Sequence, residues 1–198
     1  LKALCDSSTR CDVSARGISR HMGSCSSSCF PFRRVARTSA QRPHILVING
    51  KGMAERGLSE ESRQFFKSSA VYCDYVDFIL VVAQELGVRV SVRQCDDGQD
   101  VCRWLRNEDK GADAVVINPA FLTEDDAVAA AVHAAVANGL PVFEVHYSNI
   151  VRRGLMSPVG RVATGTIYGA KLEGYRLALM AAAAACREDW KRFDYPKA

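Results

Sequence analysis

Polar side chains interrupt or end the most apolar stretches of the chain, and these residues are the first candidates for chemistry. Asn118 closes the run ADAVVINP (112–119), and Glu144 and His146 lie inside LPVFEVH (140–146). An imidazole at the end of a strand can serve as a general acid or base, or as a hydrogen-bonded structural residue. A carboxylate in an apolar strand needs a partner once buried; Arg93 or Arg153 is the expected one. Asn118-Pro119 also admits a simpler reading, a strand exit shaped by the restricted residue before proline. Cysteine is the other reactive type. Cys5, Cys11, Cys25 and Cys29 are concentrated near the start. Four thiolates can hold zinc in a tetrahedron, but only Cys25 and Cys29 have the tight spacing of a zinc pair, with His21 a substitute ligand; disulfides or free thiols are the alternatives. Cys73, Cys95, Cys102 and Cys186 are scattered, as buried thiols in a reducing compartment are.

The elements that must position these residues follow from periodicity. HILVING (44–50) is a short apolar run ending in Asn-Gly, the pattern of a buried parallel strand and a tight turn. A polar connection (51–69) leads to a helix ending at Gly87, with Val71, Tyr75, Phe78, Ile79 and Val82 on one face. Strands are expected at 88–94, 112–119, 140–146 and 163–169. Between and after them come a short helix with Val101, Trp104 and Leu105, an Ala/Val-rich helix from Asp125 to Asn138, and a closing helix from Lys171 to about Arg187. Strand and helix alternate, so the chain is expected to be α/β, a three-layer α/β/α sandwich on a parallel sheet. Chemistry then belongs beyond the carboxyl ends of the strands.

Three segments are expected: a basic Ser/Arg/Cys-rich arm (1–43), the α/β body (44–187) and a polar tail (188–198). The arm carries eight cations and two acids, +6, whereas the whole chain is +4, so the remainder is −2. Basicity is therefore a property of the arm and no nucleic-acid footprint of the body. The arm's composition is that of an organellar presequence, which points to a mitochondrion, or else a plastid. With no core of its own, it gains order only against another surface. No run of 18 apolar residues is present, so no transmembrane segment is expected.

At the strand ends the body resembles the type II dehydroquinases (3-dehydroquinate dehydratases). The matching pieces are ILVING (45–50), ELGVRVSVRQ (85–94), the Trp104-Leu105 helix, ADAVVINP, LPVFEVHYSN (140–149), SPV (157–159), ATGTIYG (163–169) and GYRLAL (174–179). The resemblance implies a flavodoxin-like fold with a five-stranded parallel sheet, and trimers or dodecamers. It also implies chemistry in which a loop tyrosine, its pKa lowered by an arginine, takes a proton from 3-dehydroquinate. Asparagines place a water at the enolate, and a histidine protonates the leaving hydroxyl.

Aligned position by position, that loop is altered. Gly52 stands at the asparagine, Ser59 at the arginine and Gln64 at the tyrosine, with Phe65 and Phe66 next to it. Arg63 is a cation with no phenol to act on. Thr123-Glu124 replaces a Thr-His pair, and Ala131 an aspartate. Asn118, Glu144, His146, Ser148, Asn149 and Arg153 remain as a relic pocket. Each lost acid or base group contributes ~10²–10⁴-fold, so the expectation is a pseudoenzyme with no cofactor. It would be a structural subunit of a large mitochondrial assembly, a ribosome or a respiratory or ATP-synthase complex. Arg16, Arg20, Arg33, Arg34 and Arg37 would face partner proteins or ribosomal RNA. The alternatives are an active dehydratase with a rearranged loop, and a small-ligand sensor using an anion pocket at His146 and Ser148.

Overall fold

The computed structural model describes residues 42–66, 68–107 and 111–187. An interior strand, β1 (His44–Asn49), sends Ile45 and Val47 into one apolar cluster and Leu46 and Ile48 into another. A strand covered on both faces needs an apolar residue at every position rather than every second one. β3 (Ala114–Asn118) and β4 (Val142–His146) are likewise buried along their whole length. β2 (Arg89–Gln94) and β5 (Gly165–Tyr168) form the edges and are more polar and more exposed. The order is β2-β1-β3-β4-β5, every neighbouring pair parallel. The chain is therefore a three-layer α/β/α sandwich, as its alternating pattern implies, and its five-stranded parallel sheet is the flavodoxin-like one that the resemblance implies.

Helices α2 (Tyr72–Leu86) and α6 (Glu173–Ala185) cover one face through Tyr75, Ile79, Val82, Tyr175, Ala178 and Leu179. The other face is covered by α3 (Gly98–Arg106), α4 (Asp126–Ala137) and α5 (Pro158–Val162), using Val101, Leu105, Val128, Val132 and Val159. Start signals are explicit. The Asp97 carboxylate accepts the Gln99 N–H at 2.8 Å, and that of Asp125 accepts Ala127 and Val128 N–H at 2.9 and 3.2 Å.

Two short helices depart from the expected layout. α1 (Glu60–Phe66) occupies part of the stretch read only as a polar connection (51–69). It starts where Ser59 Oγ accepts the Ser62 N–H at 3.1 Å, and Gln64 reaches Glu60 at 3.2 Å. It buries no residue, so no apolar stripe announced it. α5 is a single turn capped by Ser157, whose Oγ accepts the Gly160 N–H at 3.0 Å, with Pro158 in its first turn.

From β1 the chain crosses to β2 on one side and then to β3 on the other, so the crevice beyond β1 and β3 is the topological switch point. Asn49 and Asn118, paired in register, mark it. Gly50 follows at once, where a Cβ would overlap the Pro119 backbone; only glycine lets the two strand exits approach this closely. Among the described residues no helix is long and apolar enough to cross a membrane, and no three His, Cys, Asp or Glu side chains form a metal cluster. Cys5, Cys11, Cys25 and Cys29, and Arg16, Arg20, Arg33, Arg34 and Arg37 of the arm, lie outside the described residues, as does the tail.

Candidate active site

A cavity of about 250 Å³ opens beyond the carboxyl ends of β1, β3 and β4. Its inner wall is made by Met53, Arg56, Asn118, His146, Tyr147 and Ser148. Phe65, Phe66 and Phe121 flank it with Thr123 and Glu124, and Arg153, Leu155 and Met156 complete the rim. The crevice rule locates it correctly, and four of the residues singled out from sequence (Asn118, His146, Ser148 and Arg153) share its surface.

Asn118 is fixed from behind. Its Nδ2 donates to the Tyr175 hydroxyl at 2.8 Å, and that hydroxyl donates to Asn49 Oδ1 at 2.6 Å. Asn118 Oδ1 also accepts the Ala120 N–H at 3.2 Å. Tyr175 is fully buried, and burial drives its phenol pKa far above the ordinary value, so it holds the floor of the cavity as a neutral group.

His146 is 7% exposed and stands against Glu144, which is wholly buried, with Nε2 to Oε1 3.1 Å. With Glu144 ionised, this contact is a hydrogen bond only if Nε2 carries the proton. That leaves the Nδ1 lone pair as the ring's proton-accepting atom. Ser157 Oγ donates to Glu144 Oε1 at 2.5 Å and the Tyr168 hydroxyl donates to Oε2. Three donors therefore satisfy the buried carboxylate. The expected arginine partners are elsewhere: Arg93 stacks 5.3 Å over Trp104, and Arg153 reaches Ser148 Oγ at 3.3 Å and lies 4.7 Å from the Phe65 ring. Hydroxyl and N–H donors stabilise the buried charge without bringing a second ion out of water. Burial, together with the Glu144 hydrogen bond, keeps the Tyr168 phenol protonated to a pKa far above its usual range. Asn149 does not line the cavity; its Oδ1 accepts the Arg152 N–H at 3.1 Å and shapes the following turn. Arg63 is also structural: its Nε donates to the Gly57 carbonyl at 3.0 Å and ties down the loop.

Two residues that position counting passes over stand in the wall. Arg56 is 4% exposed, and its guanidinium carbon lies 4.1 Å from the Phe66 ring centre, 4.4 Å from Tyr147 and 5.2 Å from Tyr75. Burial holds its pKa below the ordinary arginine value, while the neighbouring phenols pull the other way. Tyr147 lies between His146 and Ser148, in a segment already marked as a strand exit. A phenol and a guanidinium therefore do converge on the pocket, from positions other than Ser59 and Gln64. The one available signal was a charged residue directly before the turn glycine Gly57, whose φ of 75° folds the loop back.

The family profile of dehydroquinase class II matches residues 43–183. A 3-dehydroquinate dehydratase of Salinispora tropica is 36% identical over 148 residues, 72% of this chain and 99% of that protein. One of Pelotomaculum thermopropionicum is 41% identical over 144 residues, 71% of this chain and 96% of that protein. The crystal structure of a type II dehydroquinase from Propionibacterium acnes superposes with a TM-score of 0.62 at 35% identity, covering 71% of this chain and 95% of that one. These findings overturn the reading as a pseudoenzyme serving a mitochondrial ribosome or a respiratory or ATP-synthase complex, and with it the expected protein-subunit and ribosomal RNA partners. The relatives bear the names of enzymes.

Proposed function

The chain belongs to the class II dehydroquinase family, and from that premise we propose that it removes water from 3-dehydroquinate, a cyclic β-hydroxy ketone with a carboxylate. The wall formed by His146 and Tyr147 carries this reading. The reaction breaks a C–H bond beside the ketone, and its electron pair passes through an enolate into the new C=C bond. The C–O bond to the β-hydroxyl breaks, and that oxygen departs as water. One group must take a proton and another must supply one. His146, held by Glu144 with its Nδ1 lone pair free to accept, is assigned as the base. The Tyr147 hydroxyl, on the same wall, is assigned as the donor to the leaving oxygen. Asn118, locked by Tyr175, and Ser148 offer hydrogen bonds that orient the ring hydroxyls.

The test is to incubate the full chain with 3-dehydroquinate and follow the enone absorbance. Wild type is expected to turn over, and His146→Gln and Tyr147→Phe each to lower kcat by roughly 10²-fold or more with the fold retained. A folded wild-type protein without turnover refutes the proposal.

A further inference from the structure

Tyr168 does not line the cavity, yet it touches both His146 and the carboxylate behind it. Its hydroxyl donates to Glu144 Oε2, and its ring stands edge-on to the His146 imidazole, with centres 5.3 Å apart. The two carboxylate oxygens are thereby divided. Oε1 takes the Ser157 hydroxyl at 2.5 Å and lies 3.1 Å from His146 Nε2, and Oε2 takes Tyr168. A phenol donates without bringing a positive charge, so the carboxylate stays ionised and still holds the imidazole N–H. Burial keeps that phenol protonated, so it remains a donor across neutral pH. Room for the contact is made by Gly160, in the single turn α5, where a Cβ would overlap both the Tyr168 hydroxyl and Glu144 Oε2. Glycine inside a helical turn is otherwise unfavourable.

We propose that Tyr168 is a positioning residue for His146, acting through Glu144: its hydroxyl holds the carboxylate ionised and aimed, so that His146 keeps its proton on Nε2 and offers Nδ1. That His146 works as a base rests on the dehydratase reading; the placement of Tyr168 does not. Removing the hydroxyl leaves Oε2 of a wholly buried carboxylate without its donor. The pair then binds an added proton more tightly, whether on Nδ1 or on Glu144, and the base is lost at a higher pH. The neighbouring elements bring other titratable groups. Arg161 of α5 and Asp126 and His133 of α4 are exposed, and Asp125 caps α4. On the opposite face α6 brings Tyr175, while its Glu173 and Arg176 pair with each other. Toward the cavity stand Glu124, Arg153 beside Ser148, and Arg56 beside Tyr75 and Tyr147. All of these are common to wild type and to variants at 168 and 160, so a difference between those proteins reads the Tyr168 contact.

An NMR titration of the His146 ring signal in the full chain tests this, with the signal assigned by its absence from His146→Gln. Tyr168→Phe should raise the midpoint by about one pH unit or more, the shift expected from losing a hydrogen bond to a charged group. Gly160→Ala crowds the same contact from the other side and should move the midpoint in the same direction, which covers the case in which Tyr168→Phe does not fold. The acid limb of kcat/KM for 3-dehydroquinate should move with it. A merely structural role would lower the melting temperature and leave the midpoint in place. A midpoint within about 0.3 pH units of wild type in folded Tyr168→Phe, or in Gly160→Ala should the first not fold, overturns the proposal, as does a downward shift. So does a His146 signal that titrates in none of the three proteins. Raised midpoints in a protein that does not turn over 3-dehydroquinate sink the dehydratase reading and leave the positioning role standing. Turnover with midpoint and acid limb unmoved in both variants does the reverse.

Discussion

Tyr75 and Tyr175 are both wholly buried, with ring centres 5.8 Å apart, yet the same change, Tyr to Phe, should act on them in opposite directions. The Tyr175 hydroxyl joins Asn49 Oδ1 at 2.6 Å to Asn118 Nδ2 at 2.8 Å. Removing it leaves an amide oxygen and an amide N–H buried without their main partner, beside an Asn49 Nδ2 that already has none among the described residues. At roughly 1–3 kcal/mol for each stranded group, Tyr175→Phe should cost about 2–5 kcal/mol. That is a large part of the 5–15 kcal/mol total typical of a domain. For a chain of 198 residues it corresponds to a fall in Tm of roughly 5–15 °C. The Tyr75 hydroxyl has no hydrogen-bond partner among the described residues, so Tyr75→Phe removes a buried, unsatisfied polar atom and should be neutral or stabilising by up to about 1–2 kcal/mol. Urea unfolding of both variants with unchanged m reads the difference directly. If both variants shift alike, or Tyr175→Phe stays within about 0.5 kcal/mol of wild type, the hydrogen-bonded floor of the cavity is wrong.

Further outcomes follow from single residues. Glu144→Gln replaces an acceptor of three donors with a group that can accept at one atom only, so turnover should fall by roughly 10²-fold or more while the protein still melts cooperatively; steady-state kinetics and thermal melts check both. Gly57→Ala forces a side chain into a φ of 75° and against the Ala70 carbonyl, and should cost at least about 1–2 kcal/mol in a denaturant titration. Tyr75, Tyr168 and Tyr175 have phenol pKa values raised by burial. The stability they contribute is present below their unfolded value near 10 and lost as pH climbs toward the folded values. Phenolate absorbance should therefore rise in two phases, with these three of the six tyrosines ionising only as the fold opens. A single phase complete before unfolding contradicts their burial.

The sheet was legible because burial on both faces leaves an unmistakable mark. Runs such as HILVIN and AVVIN admit few other readings, and Asp125 announces its helix. α1 and α5 were not legible, one having no buried face and the other only a single turn. At the site, residues on strand ends were found because the strand fixes them in space. Arg56 was missed because a loop, rather than a strand end, brings it into the cavity wall. Glu144 shows a second limit. Its burial was foreseeable, but its partners were not, since Ser157 and Tyr168 arrive from α5's cap and β5 as hydroxyls, which carry no charge to attract notice.

Incubating the full chain with 3-dehydroquinate and following the ring protons by NMR puts the dehydratase assignment to its most direct test. The expected result is conversion to the enone far above the uncatalysed rate, lost in His146→Gln. Spectra that change no faster with the folded wild-type protein than without it would contradict the assignment.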